Sequence, residues 1–426
     1  MKRAVALHRA GRMAEAEAIY RVILKRLPSQ PDALHFLGLI RQQQGRSDEA
    51  IHLMRRATEF APDYADAFNN LGNALKTTGR IGEAEICYRK AIGLDARHAN
   101  ALSNLAVVLR AKGDLTAAEA ACRSAIEAMP RHVEAHNNLG NVLRGMGRHD
   151  EAIGCYRASI ALDPHHADGP RMLGLALYAA GRIDEAKEAY QQWLERDPGN
   201  PVAAHLLAGC SGSNAPARAP DGYVRDVFEG MAAEFDEHLA HLKYQAPALV
   251  GAALARVLPD PNGALEVLDA GCGTGLCGSA LRAYAQELTG VDLSPAMLRR
   301  AAQRGLYDHL VEEELTAHLK AQRARYDLIV SADTLCYFGV LQDVLAAAAG
   351  ALRARGWIVF SVEEAQGEAP LAGYRLDPHG RYSHTNDYVR GVLESTGFQA
   401  STIEAVLLRT EGGDPVNGLL VAARVA

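Results

Sequence analysis

The stretch ALEVLDAGCGTGLCG, residues 264–278, passes from an apolar run into a turn with four glycines in its last eight positions. An apolar segment of strand length, then glycines, then the helical pattern SALRAYA predicts a strand–turn–helix unit, with glycine where the backbone turns sharply or admits a ligand closely. Apolar runs alternate with helical patterns further on, in ELTGVDL (287–293), YDLIVSA (326–332) and GWIVFSVE (356–363). Strand and helix in alternation predict a mainly parallel α/β sheet, which binds ligands at the carboxyl ends of its strands.

With 426 residues the chain is expected to hold two or three domains. Its 48% hydrophobic and 23% charged residues are those of a soluble globular protein. A net charge of −6 provides no general basic field for nucleic acid or an anionic membrane. The opening MKRAVALHRAGR lacks the apolar core of a signal peptide, and no run reaches the roughly 18 apolar residues of a membrane span, so a cytoplasmic location is expected. Seven scattered cysteines without a CxxC pair predict neither a disulfide framework nor a metal site.

The first half of the chain is periodic. Glycine recurs at 11, 45, 79, 113, 147 and 181, always 34 residues apart. Pro28, Pro62, Pro130, Pro164 and Pro198 keep the same register, with Ala96 as the exception. Ala16, Ala50, Ala84, Ala118, Ala152 and Ala186 follow each turn, and Tyr20, Tyr88, Tyr156 and Tyr190 fill one large position where Met54 and Cys122 substitute. Small residues let paired helices approach, the aromatic fills the gap beside them, and glycine ends one helix where the next begins. One such unit cannot bury its apolar face, whereas a stack can. The period and helix pairing resemble the tetratricopeptide repeat over residues 1–208, as about six repeats and a terminal helix, PVAAHLLAG.

Three first helices read FNNLGNAL, LSNLAVVL and HNNLGNVL, placing Asn70, Asn104 and Asn138 at 34-residue intervals. A row of amides offers both donors and acceptors to an extended backbone. It is similar to the asparagine ladder in the repeats of O-linked N-acetylglucosamine transferases, which implies a protein or peptide partner. The alternative is that these asparagines bond the neighbouring repeat.

Residues 209–222, GCSGSNAPARAPDG, are small, polar and proline-containing, and are expected to be a linker. The period ends there, and residues 223–426 form the expected α/β domain. It opens with a helical segment in which Tyr223, Phe228, Met231, Phe235 and His238 recur at helical spacing, as a lid over the cleft or simply the packed face of a helix.

GTGLCG also satisfies the dinucleotide pattern GxGxxG, and Asp292, closing the next strand, suits the ribose of either NAD or S-adenosylmethionine. Asp269 separates the two: a carboxylate at the mouth of the turn repels a pyrophosphate, whereas a sulfonium cofactor carries no phosphate and presents positive groups. VLDAGCGTG followed by LTGVDLSPAML resembles the first two motifs of class I S-adenosylmethionine-dependent methyltransferases. The resemblance implies a Rossmann-like fold with S-adenosylmethionine as cofactor. By it, Asp269, Ala270, Gly271 and Gly273 line the methionine end, and Gly275 tightens the turn. Asp292 holds the ribose, Leu293 and Met297 lie against the adenine, and Glu314 with Leu315 meets its amine, although Glu312 and Glu313 compete for that place. Ser331 ends the fourth strand beside the methyl group.

Methyl transfer needs a nucleophile in line with the methyl carbon, water excluded and, for some acceptors, a base. Asp333, Tyr337 and His384 are candidates by position, though Asp333 could instead bind the cofactor's amino group and His384 could cap a helix. The place after the fourth strand reads ADTLCYFG, without the Asn-Pro-Pro-Tyr sequence of amide and nucleobase methylation. Three functions remain open: a methyltransferase for a small or carrier-bound acceptor with repeats that recruit a partner, a protein methyltransferase whose repeats select the acceptor, and a scaffold that keeps a cofactor site without catalysis.

Overall fold

The computed structural model describes residues 1–166, 168–212, 215–232, 235–411 and 413–426. Two sequence-expected stretches are thus interrupted, since 213–214 of the linker and 233–234 of the helical segment lie outside the described residues. By its internal contacts the chain divides into two compact units, Met1–Gly169 and Pro170–Ala426.

The first unit is a stack of antiparallel helix pairs: α1 (Lys2–Arg9) with α2 (Met13–Arg26), α3 (Pro31–Gln43) with α4 (Ser47–Phe60), α5 (Ala65–Thr77) with α6 (Ile81–Leu94), α7 (Ala99–Ala111) with α8 (Leu115–Ala128), and α9 (Val133–Gly145) with α10 (His149–Leu162). Gly11, Gly45, Gly79, Gly113 and Gly147 all have φ between +73° and +82°, the left-handed conformation that ends the first helix of each pair without a Cβ penalty. In three pairs the buried large side chain of the second helix meets a hollow on the first: a Cβ on Gly38 would lie 2.8 Å from Met54, one on Gly72 2.5 Å from Tyr88 and one on Gly140 2.6 Å from Tyr156, whereas Tyr20 has Ala4 in that register. Where Cys122 replaces the tyrosine, Ala106 stands 34 residues after Gly72, so the pair keeps its combined volume. Gln30, His98 and His132, in one register, cap the first helices by accepting from the N–H of Ala33, Ala101 and Ala135.

The second unit begins with the last helices of the periodic region, α11 (Gly169–Ala179, all but its first residue), α12 (Ile183–Arg196) and α13 (Pro201–Ser211), and continues with α14 (Asp221–Met231), α15 (Phe235–His241) and α16 (Ala246–Val257). Then follow β1 (Leu265–Ala270), α17 (Gly278–Arg282), β2 (Ala285–Asp292), α18 (Pro295–Gln303), β3 (His309–Glu312), α19 (Leu315–Ala321), β4 (Tyr326–Ser331), a 3-10 turn (Leu335–Tyr337), α20 (Gln342–Ala351) and β5 (Leu352–Glu364). The chain ends in β6 (Tyr374–Leu376), β7 (Tyr382–His384), α21 (Asn386–Ser395), β8 (Phe398–Glu411) and β9 (Asp414–Val425).

Strands β3, β2, β1, β4 and β5 are parallel in that spatial order. β9 runs antiparallel to β5 and to β8, and the short pair β6–β7 continues from the end of β5. Both faces of the sheet are buried, with Leu268, Ile329 and Phe360 in one apolar layer and Val267, Leu328, Val330 and Val359 in the other. That alternation explains why the central strands read as continuous apolar runs.

The 209–222 stretch is tied down where it is described. Ala217 O accepts from Gly339 N at 2.9 Å and Val340 N at 2.8 Å, and Ala219 N donates to Tyr337 O at 2.7 Å. Helix α13 packs on the loop before β7: His205 Nε2 lies 2.9 Å from Gly380 O, and a Cβ on Gly209 would stand 2.7 Å from Asp377 O. The compact unit therefore includes α11–α13, whereas the sequence places its boundary at the 209–222 segment.

Candidate functional site

The strand order reverses between β1 and β4, which opens a crevice at their carboxyl ends. Side chains stitch the two strands there: Ser331 Oγ donates to Ala270 O at 2.9 Å, and Thr334 Oγ1 to Gly271 O at 3.2 Å. Ser331 and Ala270 are almost fully buried in this seam, so their part is to fix the crevice wall.

In the turn after β1, Gly271, Gly273 and Gly275 have φ of +79°, +53° and +83°. The four glycines do different things. A Cβ on Gly271 would collide with Thr334, and one on Gly275 or Gly278 would come within 2.8 or 2.9 Å of Tyr307. Only around Gly273, among these four, is there open space. Tyr307, which sequence reasoning did not single out, fills the hollow that Gly275 and Gly278 leave and donates to Asp269 Oδ2 at 2.7 Å.

Tyr307 and burial together define the surroundings of Asp269. Its carboxyl is buried and held by Tyr307, and burial, with Asp292 nearby, pushes its pKa up to about 7 despite that hydrogen bond. Near neutral pH the carboxyl is therefore only partly ionised. The helix after the turn is also shorter than expected. α17 has five residues, and the tyrosine hydroxyl packs against its first, Gly278. So short a helix gives little dipole with which to hold a pyrophosphate.

Asp292 closes β2 with both oxygens engaged by backbone, Oδ2 by Gly273 N and Oδ1 by Ser294 N, each at 2.9 Å. Each oxygen keeps a second lone pair. Burial raises its pKa while those amides lower it, so its geometry is fixed from two sides. Leu293 is half-buried with its carbonyl 3.3 Å from Arg225 Nε of α14, and Met297 is buried in the first turn of α18. The competition within the acidic run is resolved by partners. Glu312 is exposed, Glu313 sits 2.8 Å from His318 Nδ1, and Glu314 caps α19 through Oε2 to Ala317 N at 2.8 Å, with Leu315 buried behind it. Glu314 Oε1 is buried without a hydrogen-bond partner, its nearest cation being Arg218 at 4.0 Å.

The helical segment covers these elements in part. Glu229 of α14 accepts from Ser294 Oγ at 2.8 Å, and Asp236 of α15 binds Thr274 Oγ1 and Arg304. Phe228 meets both Tyr337 and Phe235 edge-on, at 5.5 and 5.8 Å between ring centroids. Tyr223 instead turns away to pack on His205 at 4.2 Å, while Met231 is half-buried and His238 exposed.

Beyond β4, Asp333 takes φ +54°, unusual for a residue other than glycine, with its N–H bonded to Ser361 Oγ at 2.9 Å. Oδ2 accepts from Arg409 at 2.5 Å, whereas Oδ1 is buried without a partner. Burial raises its pKa against the pull of Arg409. Arg409 also binds Glu363 and, at 2.7 Å, Glu411, and Arg381 joins Glu363 at 2.5 Å and Glu411 at 2.9 Å. Burial alone would raise Glu411, but the two guanidinium groups outweigh it and hold its pKa down to about 2. Asp333 apart, no sequence pattern pointed to this network, because its other members lie on β5, β8 and the loop before β7.

Tyr337 lies in the 3-10 turn beside the crevice, under Phe228. His384 does not join it. It is fully buried, stacked on Tyr388 at 5.8 Å and 3.3 Å from Gly339 O, and burial lowers its pKa to about 4. Thr385 rather than His384 caps α21. The geometry gives His384 a packed place in the core, with Nδ1 unpartnered.

In the first unit Asn70, Asn104 and Asn138 are half-buried, and each commits one N–H of its amide to the preceding repeat: to His35 Nε2 at 2.8 Å, Asn69 Oδ1 at 2.9 Å and Ser103 Oγ at 3.0 Å. The ladder is thus first a bond between repeats. Among the described residues, no helix is long and apolar enough to cross a membrane.

Known proteins share both parts of the chain. A methyltransferase-domain profile matches residues 268–358, and tetratricopeptide-repeat profiles match 1–31 with 137–201 and 29–96 with 97–165. The chain is 42% identical over 84 residues to Methyltransferase-like protein 27 of Homo sapiens, covering 20% of this chain and 34% of that protein. It is 28% identical over 149 residues to the ubiquinone biosynthesis O-methyltransferase of Bordetella avium, covering 32% of this chain and 61% of that one. It is 26% identical over 166 residues to the malonyl-[acyl-carrier protein] O-methyltransferase of Salmonella typhimurium, covering 39% and 63%. These matches span from 34% to 63% of the relatives' own lengths. The chain thus carries tetratricopeptide repeats together with a methyltransferase domain.

Proposed function

We propose that the protein is an S-adenosylmethionine-dependent methyltransferase acting on a small-molecule or carrier-bound acceptor, and that its repeats bind a protein partner. The observation that carries this reading is Asp292, locked by the amides of Gly273 and Ser294 beside the open space over Gly273. A carboxylate so held has a lone pair on each oxygen for a ribose hydroxyl. Glu314 Oε1, buried and unpartnered near the end of β3, suits an adenine amine. These residues fit S-adenosylmethionine, and the short α17 with Tyr307 against its first residue disfavours a pyrophosphate.

When bound, that cofactor supplies an electrophilic methyl group on a sulfonium leaving group. The chain's own part is to hold the ribose at Asp292, to keep water out with Phe228, Phe235 and Tyr337, and to offer Asp333 to the acceptor. Two relatives are named as O-methyltransferases, one of ubiquinone biosynthesis and one of malonyl-[acyl-carrier protein], which supports a small or carrier-bound acceptor. With one N–H of each ladder asparagine committed to the stack, a peptide partner would be met by the second N–H of each and by the amide oxygens of Asn104 and Asn138.

The test is release of S-adenosylhomocysteine by the full chain given S-adenosylmethionine and, in turn, catechols, carrier-bound acyl thioesters and peptides. Turnover with either of the first two classes supports the reading. Turnover with peptides alone would make it a protein methyltransferase, and cofactor binding without turnover on any class would leave a scaffold.

A further inference from the structure

The network around Asp333 bears on what the acceptor is, given the reading above. Three carboxylates, Asp333, Glu363 and Glu411, face two guanidinium groups, Arg381 and Arg409. Arg409 reaches all three acids and Arg381 two, so neither cation is left uncommitted and the cluster keeps one negative charge in excess. His379 adds little, standing 3.7 Å from Glu363. At Asp333, Oδ2 is taken by Arg409 and Oδ1 is buried without any donor. Its left-handed backbone is pinned by Ser361, so the orphan oxygen is not free to turn toward solvent.

We infer that Asp333 Oδ1 receives a proton donor of the acceptor, so that the methylated group is a hydroxyl or an amine and not a carboxylate. A carboxylate in this place would meet an excess of negative charge with every guanidinium of the cluster already paired, and would leave Asp333 Oδ1 unsatisfied. A hydroxyl or amine satisfies it. As the acceptor's oxygen or nitrogen bonds to the methyl carbon, the sulfur–methyl bond breaks with its electron pair remaining on sulfur, and the acceptor proton passes to Asp333 Oδ1.

The experiment uses the full chain, methyl-tritiated S-adenosylmethionine and a clarified cell extract as the acceptor mixture. Expected is label that survives mild alkaline hydrolysis, as ethers and methylamines do, and about a hundredfold less incorporation by Asp333→Asn with S-adenosylhomocysteine binding unchanged. Base-released tritiated methanol would mark methyl esters and overturn the inference. So would undiminished incorporation by Asp333→Asn, or a matching loss of S-adenosylhomocysteine binding, which would put Asp333 on the cofactor instead. Failure of the underlying reading looks different, because wild type would then not bind S-adenosylhomocysteine at all. If wild type binds it but labels nothing, phenol and benzoate titrated into that complex decide the matter, and any result other than tighter binding of phenol overturns the inference.

Discussion

Asp269→Asn should stabilise the second unit at alkaline pH far more than at acid pH. Asp269 is 1% exposed, and burial lifts its pKa from 3.8 to about 7. A carboxyl with a raised folded-state pKa binds its proton more tightly in the folded chain. Its contribution is therefore whole below the unfolded value near 3.8 and is lost as pH rises toward the folded value near 7. At about 1.4 kcal/mol per pH unit, the loss approaches a ceiling of about 4 kcal/mol. Asparagine has nearly the same shape, can accept from Tyr307 through Oδ1 and carries no charge to desolvate. The advantage of the variant should thus grow by about 3 kcal/mol between pH 4.5 and pH 8. Urea denaturation followed by tryptophan fluorescence measures this cleanly, because the two tryptophans, Trp193 and Trp357, both lie in the second unit. An advantage that stays constant across the range would refute the reasoning and mean that Asp269 is ionised in the folded chain throughout.

Other consequences follow from the turn, the unit boundary and the repeats. Gly273→Ala places a Cβ in open space at φ +53°, so it should cost only about 1 kcal/mol of stability yet lower S-adenosylhomocysteine affinity at least about tenfold; equal losses in both would make Gly273 a folding residue only. A chain beginning at residue 170 should melt as one cooperative unit, whereas one beginning at 209, without His205 against Gly380, should melt several degrees lower; equal melting points would show α11–α13 to be dispensable. Cys122→Tyr should destabilise the stack by about 1–3 kcal/mol by overpacking against Ala106, and adding Ala106→Gly should recover most of it; no recovery in the urea midpoint would refute the volume pairing of the repeats.

The repeats were legible because their physics is periodic. One register fixes the left-handed glycine, the alanine at the crossing and the large side chain, and the same register carries the capping residues Gln30, His98 and His132 and the hollows at Gly38, Gly72 and Gly140, which were visible in the sequence and not used. The parallel strands were legible as apolar runs, and Asp292 by its place after the second of them. What the sequence does not carry is pairing across distance. Tyr307 lies 38 residues from Asp269, and Arg409 lies 76 from Asp333. Neither spacing repeats, so no periodicity marks either pair. The burial of His384 was not legible for a related reason, since its position in the chain says nothing of whether strand β7 turns it to the crevice or into the core. The asparagine ladder shows the limit from the other side: its spacing was right, but only the neighbouring repeat determines that one donor of each amide is tied into the stack.

The central claim is that the glycine turn and Asp292 hold a sulfonium nucleoside cofactor and not a dinucleotide. Calorimetric titration of the full chain with S-adenosylhomocysteine, and separately with NADH, tests it most directly, for wild type and Asp292→Ala. The account predicts one site for S-adenosylhomocysteine, weakened at least about tenfold by the substitution, with no heat from NADH. Binding of NADH that Asp292→Ala weakens would contradict it and make the turn a dinucleotide site.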